Sequence, residues 1–251
     1  PLPDAAGTLV VDHRSRWSAD RAADVADRIA HLVREATVGG RRVAVFAENA
    51  AEAVVAHLGG LRSGASVVPV SAHLAAGEAT HVLRVGDVAL VVAGPQTAER
   101  ARAAAEEVGG CDVVAWDEPA WDRWLGSAPS GPPADDRPIA PNLLFTSGTT
   151  GTPKATELPP NVFPRRESWA AFVDALSTNR FVGLGRHLVV APLHHTGPLN
   201  AVRALAAGTP VGVLPRFDPA RTLEAIERGD IAPTTWVPTH LSRLPARPEQ
   251  C

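Results

Sequence analysis

The residues with the clearest chemical potential form the stretch TSGTTGTPK, at positions 146–154. Its two glycines, Gly148 and Gly151, let the backbone adopt positive φ and approach a ligand closely. Hydroxyl groups can donate hydrogen bonds to phosphate oxygens, and this stretch supplies them from Thr146, Ser147, Thr149 and Thr150. Successive backbone N–H groups in such a turn can form an anion-binding nest, and Lys154 adds a mobile positive charge. The stretch therefore predicts a phosphate-binding loop.

The spacing of this loop excludes two common phosphate-binding motifs. In a nucleotide P-loop four residues separate the two glycines, and Lys and then Ser or Thr directly follow the second glycine. Here only Thr149 and Thr150 separate the glycines, and Pro153 precedes the lysine. The Rossmann pattern G-x-G-x-x-G does not follow any predicted strand. The alternative interpretation is a surface loop without a ligand. However, the loop directly follows a predicted buried strand, which places it at the carboxyl edge of a sheet, where α/β proteins bind ligands.

Two further groups of residues are candidates for chemistry. His194 and His195 could form a metal pair, but adjacent residues on a strand point apart and no third ligand lies nearby, so we expect no metal site. Trp236 precedes Val-Pro-Thr at a predicted strand end. Its side chain could line an acyl channel or pack in the core, and the sequence leaves both alternatives open. Lys154 is the single lysine among 24 basic residues, since every other one is arginine.

Short, nearly continuous apolar strands alternate with helices along the chain, which predicts an α/β fold of layered, mostly parallel sheets flanked by helices. The predicted strands are 42–46, 66–70, 88–92, 112–116, 142–145, 187–190, 211–214 and 234–237. The predicted helices are one capped by Ser18, then 50–62, 77–84, 96–108, 168–176, 199–206 and 219–227, with Thr239 capping a last one. A segment rich in Pro, Gly, Ser and Asp, 126–141, predicts a linker between an α/β subdomain at 1–137 and a second at 138–251.

Composition narrows the class of protein. The 251 residues are 45% apolar and 20% charged, an ordinary globular balance. No apolar run reaches the roughly 18 residues of a membrane span, so we expect no integral membrane protein. The net charge of −3 gives no reason to expect a nucleic acid partner. Two cysteines, Cys111 and Cys251, support neither a disulfide framework nor a zinc site, and predict a cytoplasmic location.

The loop string TSGTTGTPK resembles the glycine-rich signature of the adenylate-forming acyl-CoA synthetases and ligases, and the likeness extends over nearly all of the chain. The strand–helix–strand region at 40–78 is similar to the family's N-terminal stretch. APLHHTG, at 191–197, is similar to its segment beside the acyl pocket. The segment 216–244, which contains Val237-Pro238-Thr239, is similar to the strand–helix–strand that follows.

The resemblance implies a two-step reaction in which a carboxylate attacks the α-phosphate of MgATP and a thiol, commonly CoA, then takes the acyl group. It implies that the loop at 146–154 holds the β- and γ-phosphates and that His195 is the catalytic residue, near the acyl carbonyl. The acyl pocket would be lined by His194, His195, Gly197, Trp236 and Val237. The implied partners are ATP, Mg²⁺, CoA and a carboxylic acid, with a fatty acid favoured and a homodimer left open. The sequence departs from the family pattern at His194, where an aromatic residue is usual, and at Ala155, where glycine is usual.

Enzymes of this family continue with an adenine-binding strand, a ribose-binding aspartate, a hinge and a small C-terminal domain whose lysine promotes adenylation. None of these segments precedes Cys251. We therefore expect an N-terminal portion, without the C-terminal domain, that is inactive alone. The alternative is a truncated paralogue that binds nucleotide or a partner without catalysis. An ordinary NTPase is disfavoured by the loop spacing.

Overall fold

A computed structural model describes residues 9–146, 153–178, 182–228 and 231–244 of the chain. Its strands are β1 Val10–Val11, β2 Arg16–Trp17, β3 Arg42–Ala47, β4 Val67–Ser71, β5 Val88–Ala93, β6 Asp112–Ala115, β7 Leu143–Thr146, β8 Lys154–Glu157, β9 Arg186–Val189, β10 Val211–Val213 and β11 Ile231–Thr234. Its helices are α1 Ala19–Ala36, α2 Ala51–Arg62, α3 Ala76–Val85, α4 Ala98–Val108, α5 Pro119–Ser127, α6 Trp169–Ser177, α7 Asn200–Ala206, α8 Pro219–Arg228 and α9 Pro238–Arg243.

The strands form two larger sheets and one hairpin. The first sheet has the order β4-β3-β5-β6, and all of its neighbouring strands are parallel. The second has the order β11-β9-β10-β1-β2, and only the β1–β2 pair is antiparallel. β7 and β8 form an antiparallel hairpin. Because β1 pairs with β10, the start of the described chain belongs to the sheet built mainly from its second half; the subdomain division at 137/138 stays a prediction.

Alternating side chains of the central strands pack against different helices, which produces five layers. In β3, Ala44 and Phe46 face the core beneath α3 and α4, whereas Val43 and Val45 face the core shared with α1, α2 and α7. That shared core also contains Val211 and Val213 of β10. The outer face of the second sheet packs beneath α8. The layered α/β architecture predicted from the sequence is thus confirmed.

Close packing in the central layer depends on a glycine in α2. A Cβ added to Gly59 would lie 2.6 Å from Cγ2 of Ile29 on α1, far inside the normal contact distance. The two helices can therefore approach so closely only because this position has no side chain. The burial of nearly the whole of α2, which lies between α1 and α7, follows from this approach.

Several predicted bounds are wrong, and four elements were not predicted. The strand predicted at 234–237 lies earlier, as β11, because β11 pairs with β9 through Ile231 and Thr234. The last helix begins after Val237, so Thr239 lies inside it instead of capping it. Helix α5 extends into the predicted linker as far as Ser127. The elements β1, β2, α5 and β8 had no predicted counterpart.

Candidate functional site

The hairpin of β7 and β8 holds both ends of the predicted phosphate loop. Thr146 is the backbone pairing partner of Lys154, and both residues are exposed. The predicted ligand-binding residues Ser147, Gly148, Thr149, Thr150 and Gly151 lie outside the described residues. On the other side of the loop, Nε2 of His81 in α3 lies 3.1 Å from the carbonyl oxygen of Pro153. The stem of the loop is therefore anchored both by strand pairing and by a helix of the first sheet's outer layer.

A cavity of about 600 Å³ opens where the carboxyl ends of the two parallel sheets meet. The first sheet contributes residues that follow β3, β4 and β5, namely Glu48, Asn49, His73 and Gln96. The second sheet contributes residues that follow β9 and β10, among them Pro192, His194, Pro215 and Arg216. The carboxyl edge of parallel strands is the usual place for ligands in α/β proteins, and here two such edges face one space.

One buried amide joins the strand ends around this cavity. Asn49 donates from Nδ2 to the carbonyls of Ala191, at 3.0 Å, and Leu214, at 3.2 Å. Its Oδ1 accepts a hydrogen bond from the N–H of Leu193 at 3.0 Å. Asn49 is 6% exposed, so all three bonds are shielded from water. This side chain fixes the segment that carries His194 relative to the ends of β3 and β10.

The two predicted histidines follow β9 in a turn and not on a strand, so the expectation that their side chains point apart is wrong. The ring centroids of His194 and His195 are 4.1 Å apart. His194 lines the cavity, and burial, with the neighbouring imidazoles of His195 and His73, lowers its pKa to about 4. Burial also lowers the pKa of the more exposed His195. Both rings are therefore neutral at pH 7 and can donate or accept hydrogen bonds.

The other predicted acyl-pocket residues surround the same region without lining the cavity. A Cβ on Gly197 would lie 2.5 Å from Cγ2 of Thr235, and the Thr235 hydroxyl donates to the Gly197 carbonyl at 3.2 Å. Trp236 makes an edge contact with His240, a cavity residue, at 6.4 Å between ring centroids. Val237 is 40% exposed at the start of α9. Their roles toward a substrate stay predictions.

Two arginines and two aromatic rings that were not predicted also belong to this site. Arg216 and Arg221 line the cavity, as do Phe217 and His240, whose rings stack at 4.2 Å. Arg216 and Phe217 come two and three residues after the predicted strand at 211–214, so the rule that ligands bind at the carboxyl ends of strands could have found them. Asn49 follows the strand β3 in the same way.

The described residues contain neither a cluster suited to a metal ion nor a helix suited to cross a membrane. Between residues 9 and 244, with the undescribed gaps left out, no group of three or more His, Cys, Asp or Glu side chains is arranged to hold a metal ion. In the same ranges, no helix combines the length and apolar character of a membrane span.

The two parallel sheets and the cavity at their carboxyl ends define an α/β ligand-binding unit, and its fold matches the N-terminal domain of adenylate-forming enzymes. The chain belongs to the AMP-binding enzyme family, whose model matches residues 4–251. The family resemblance inferred from the loop and its flanking segments is thereby confirmed.

Individual relatives match this chain over nearly its whole length. It is 29% identical to indoleacetate–CoA ligase of Aromatoleum aromaticum over 237 residues, which are 90% of this chain and 46% of that protein. It is 29% identical to the long-chain-fatty-acid–CoA ligase FadD13 of Mycobacterium tuberculosis over 244 residues, which are 92% of this chain and 45% of that protein. The chain therefore spans about half the length of the curated relatives it matches.

Solved structures are similar over the same extent. The inhibitor-bound N-terminal domain of FACL13 from Mycobacterium tuberculosis has a TM-score of 0.74 and 26% identity, covering 95% of this chain and 61% of that one. The amide bond synthetase McbA from Marinactinospora thermotolerans has a TM-score of 0.76 and 27% identity, covering 95% of this chain and 48% of that one.

Proposed function

We propose that this chain is the acid- and phosphate-binding part of an ATP-dependent acid–thiol ligase, which converts a carboxylic acid into an acyl-adenylate and then into a CoA thioester. The observation that carries the proposal is the cavity at the joined carboxyl ends of both sheets, with His194 in its wall. Membership of the AMP-binding family supports the nucleotide, and the CoA ligases among the relatives support the thiol acceptor.

In this proposal the loop at 146–154 binds the β- and γ-phosphates of ATP. Negative charge grows on the leaving pyrophosphate as the carboxylate attacks the α-phosphate, so donors fixed in advance stabilise the transition state. Pairing of Thr146 with Lys154 fixes the loop ends and so limits the entropy lost on binding. Mg²⁺ would be held chiefly by the ATP phosphates, because this ion keeps several waters and needs only one or two carboxylates.

The histidines would act on the acid as neutral groups. A neutral imidazole can donate one hydrogen bond to a carboxyl or carbonyl oxygen without a competing positive charge. The lowered pKa values of His194 and His195 support this state at neutral pH. We assign His195, the more exposed of the two, to the reacting carbonyl and His194 to the cavity wall.

The proposal also concerns which carboxylic acid the cavity binds. The relative FadD13 is named for long-chain fatty acids and supports the fatty acid favoured by the sequence. The relative from Aromatoleum aromaticum is named for indoleacetate, a shorter aromatic acid. Charged and polar side chains such as Glu48, His73 and Arg216 in the cavity wall support a small polar acid more than a long alkyl chain. A cytoplasmic location, a homodimer and inactivity of the chain alone stay predictions.

A thermal-shift panel tests the ligase against a non-catalytic nucleotide-binding paralogue. We expect ATP and AMP to raise the melting temperature, and a non-hydrolysable acyl-adenylate analogue to raise it more than AMP, because a ligase site also binds the acyl group. Lys154→Ala should reduce the ATP shift, whereas the control Arg166→Ala should not. Equal shifts from AMP and the acyl-adenylate analogue would support the paralogue. Exchange of labelled pyrophosphate into ATP that requires an acid would support the ligase directly.

A further inference from the structure

Two arginines and one carboxylate of the described residues line the cavity. Neither Arg216 nor Arg221 forms an ion pair or a side-chain hydrogen bond with any residue in the described ranges. Several other arginines pair with carboxylates, as Arg102 does with Glu118 and Arg165 with Glu157. Among the residues that the structure describes, Glu48 is the only carboxylate that lines the cavity. Two unpaired guanidinium groups at one opening favour an anionic ligand.

The two cavity arginines lie close together in the chain, after β10. Arg221 lies in the first turn of α8, where Asp218 Oδ1 accepts a hydrogen bond from its N–H at 2.9 Å. That carboxylate caps the helix and balances the partial positive charge of its N-terminus, so the positive charge at this place comes from the arginine side chains. Arg216 follows β10 three residues beyond the last paired position, Val213, and also lines the cavity. Both arginines therefore reach the cavity from the stretch between the end of β10 and the first turn of α8.

The remaining wall is suited to the body of a small molecule. Phe217, stacked on His240, and the rings of Pro192 and Pro215 offer flat apolar surface. The neutral His194 lines the same cavity from the turn after β9. A small acid can thus present one carboxyl group to His194 and have a second anionic group bound by the arginines.

We propose that the acid bound by this cavity is a dicarboxylate, with Arg216 and Arg221 binding the carboxylate that does not react. This inference rests on the proposed function and specifies its substrate class. A phosphate group of CoA is also anionic and is the alternative source of the anion. The dicarboxylate is favoured because the arginines line the same cavity as His194.

Calorimetric titration of the 251-residue chain with glutarate and pentanoate tests this proposal, because these acids share a five-carbon chain and differ in the second carboxylate. We expect glutarate to bind at least about tenfold more tightly at neutral pH, the gain of one charge-assisted contact. Arg216→Gln and Arg221→Gln should each remove most of this difference and leave pentanoate binding unchanged. Arg123→Gln, on the exposed face of α5, is the matched control. Both cavity arginines are exposed, so the variants should fold.

Three outcomes would overturn the proposal of a dicarboxylate substrate. The first is equal affinity for the two acids, and the second is glutarate binding that both arginine variants retain. The third is loss of CoA binding in these variants while the two acids bind alike. The last outcome would assign the arginines to a CoA phosphate. ATP thermal shifts on the same samples separate this failure from a failure of the proposed function, since a chain that binds ATP but not glutarate contradicts only the substrate class.

Discussion

The side-chain oxygen of Asn49 accepts a hydrogen bond from the backbone N–H of Leu193 at 3.0 Å, although the two residues are 144 positions apart in the chain. The same amide donates to Ala191 and Leu214, so it joins the ends of three strands from two different sheets. His194 directly follows Leu193 and lines the cavity. The shape of the candidate site therefore depends on one buried side chain that is not itself a titratable group.

Replacing Asn49 by alanine should lower the free energy of unfolding by about 3 kcal/mol, because three buried backbone groups lose their partner at once. Urea denaturation followed by circular dichroism measures the change. Asn142→Ala is the control, since in the described part of the chain that buried amide donates to the Val67 carbonyl alone, at 3.3 Å. This control substitution should lower the free energy of unfolding by about 1 kcal/mol. Equal losses in the two variants would contradict a special role for Asn49.

Gly197→Ala should destabilise the protein by about 1–3 kcal/mol, because the new methyl group would lie 2.5 Å from Cγ2 of Thr235. Thr235→Ser removes that methyl group and keeps the hydroxyl that donates to Gly197. The double variant should therefore recover most of the lost stability. Gly126→Ala, in α5 with no atom within 4 Å of the added Cβ, should be neutral or slightly stabilising. A double variant no more stable than Gly197→Ala would count against this contact.

A low pH should destabilise the fold because His57 is protonated in the unfolded chain but not in the native state. Complete burial lowers its pKa from 6.5 to about 3, so below pH 6.5 the unfolded chain binds a proton that the native state does not. The free energy of unfolding therefore falls as the pH drops from 6.5 towards 3, and this contribution amounts to about 2 kcal/mol between pH 7 and pH 5. Urea denaturation at both pH values should show a smaller loss in His57→Gln, while exposed His13→Gln keeps the wild-type loss. An unchanged loss in His57→Gln would refute the assignment.

His81→Ala should weaken ATP binding a few-fold, because its ring lies 3.1 Å from the Pro153 carbonyl and helps to fix the loop stem. We expect a smaller effect than that of Lys154→Ala, since His81 would position the loop without touching the phosphates. His31→Ala is a matched control, because that ring makes a similar contact, 3.2 Å, with the Gly131 carbonyl. If the two histidine variants have the same ATP affinity, as measured by calorimetry, His81 has no positioning role.

Elements with strong local periodicity could be predicted from the sequence, often to within one or two residues. Helix α1 follows its predicted cap, and the Ser18 hydroxyl accepts a hydrogen bond from the N–H of Arg21. The strands β3 and β5 are buried runs of apolar residues that need no distant partner to be recognised. In these segments local propensity and burial favour the same structure.

Elements that depend on distant pairing could not be predicted. Strand β1 has two residues, and it exists because Val10 and Val11 pair with Val211 and Gly212. All residues of β8 are exposed, so it lacks the alternation that indicates a strand. The cavity is built from strand ends that are far apart in sequence, which is why Arg221 was missed. The loop was found because its residues are contiguous.

The central claim, that the loop ending at Lys154 binds the phosphates of ATP, can be tested through the single lysine of the chain. An amine-reactive acylating reagent can modify only Lys154 and the terminal amine, and mass spectrometry of peptides separates the two. We predict that ATP slows acylation of Lys154 several-fold, whereas adenosine does not, and that the terminal amine reacts equally in both. Acylation of Lys154 at the same rate with saturating ATP as without it would contradict the account.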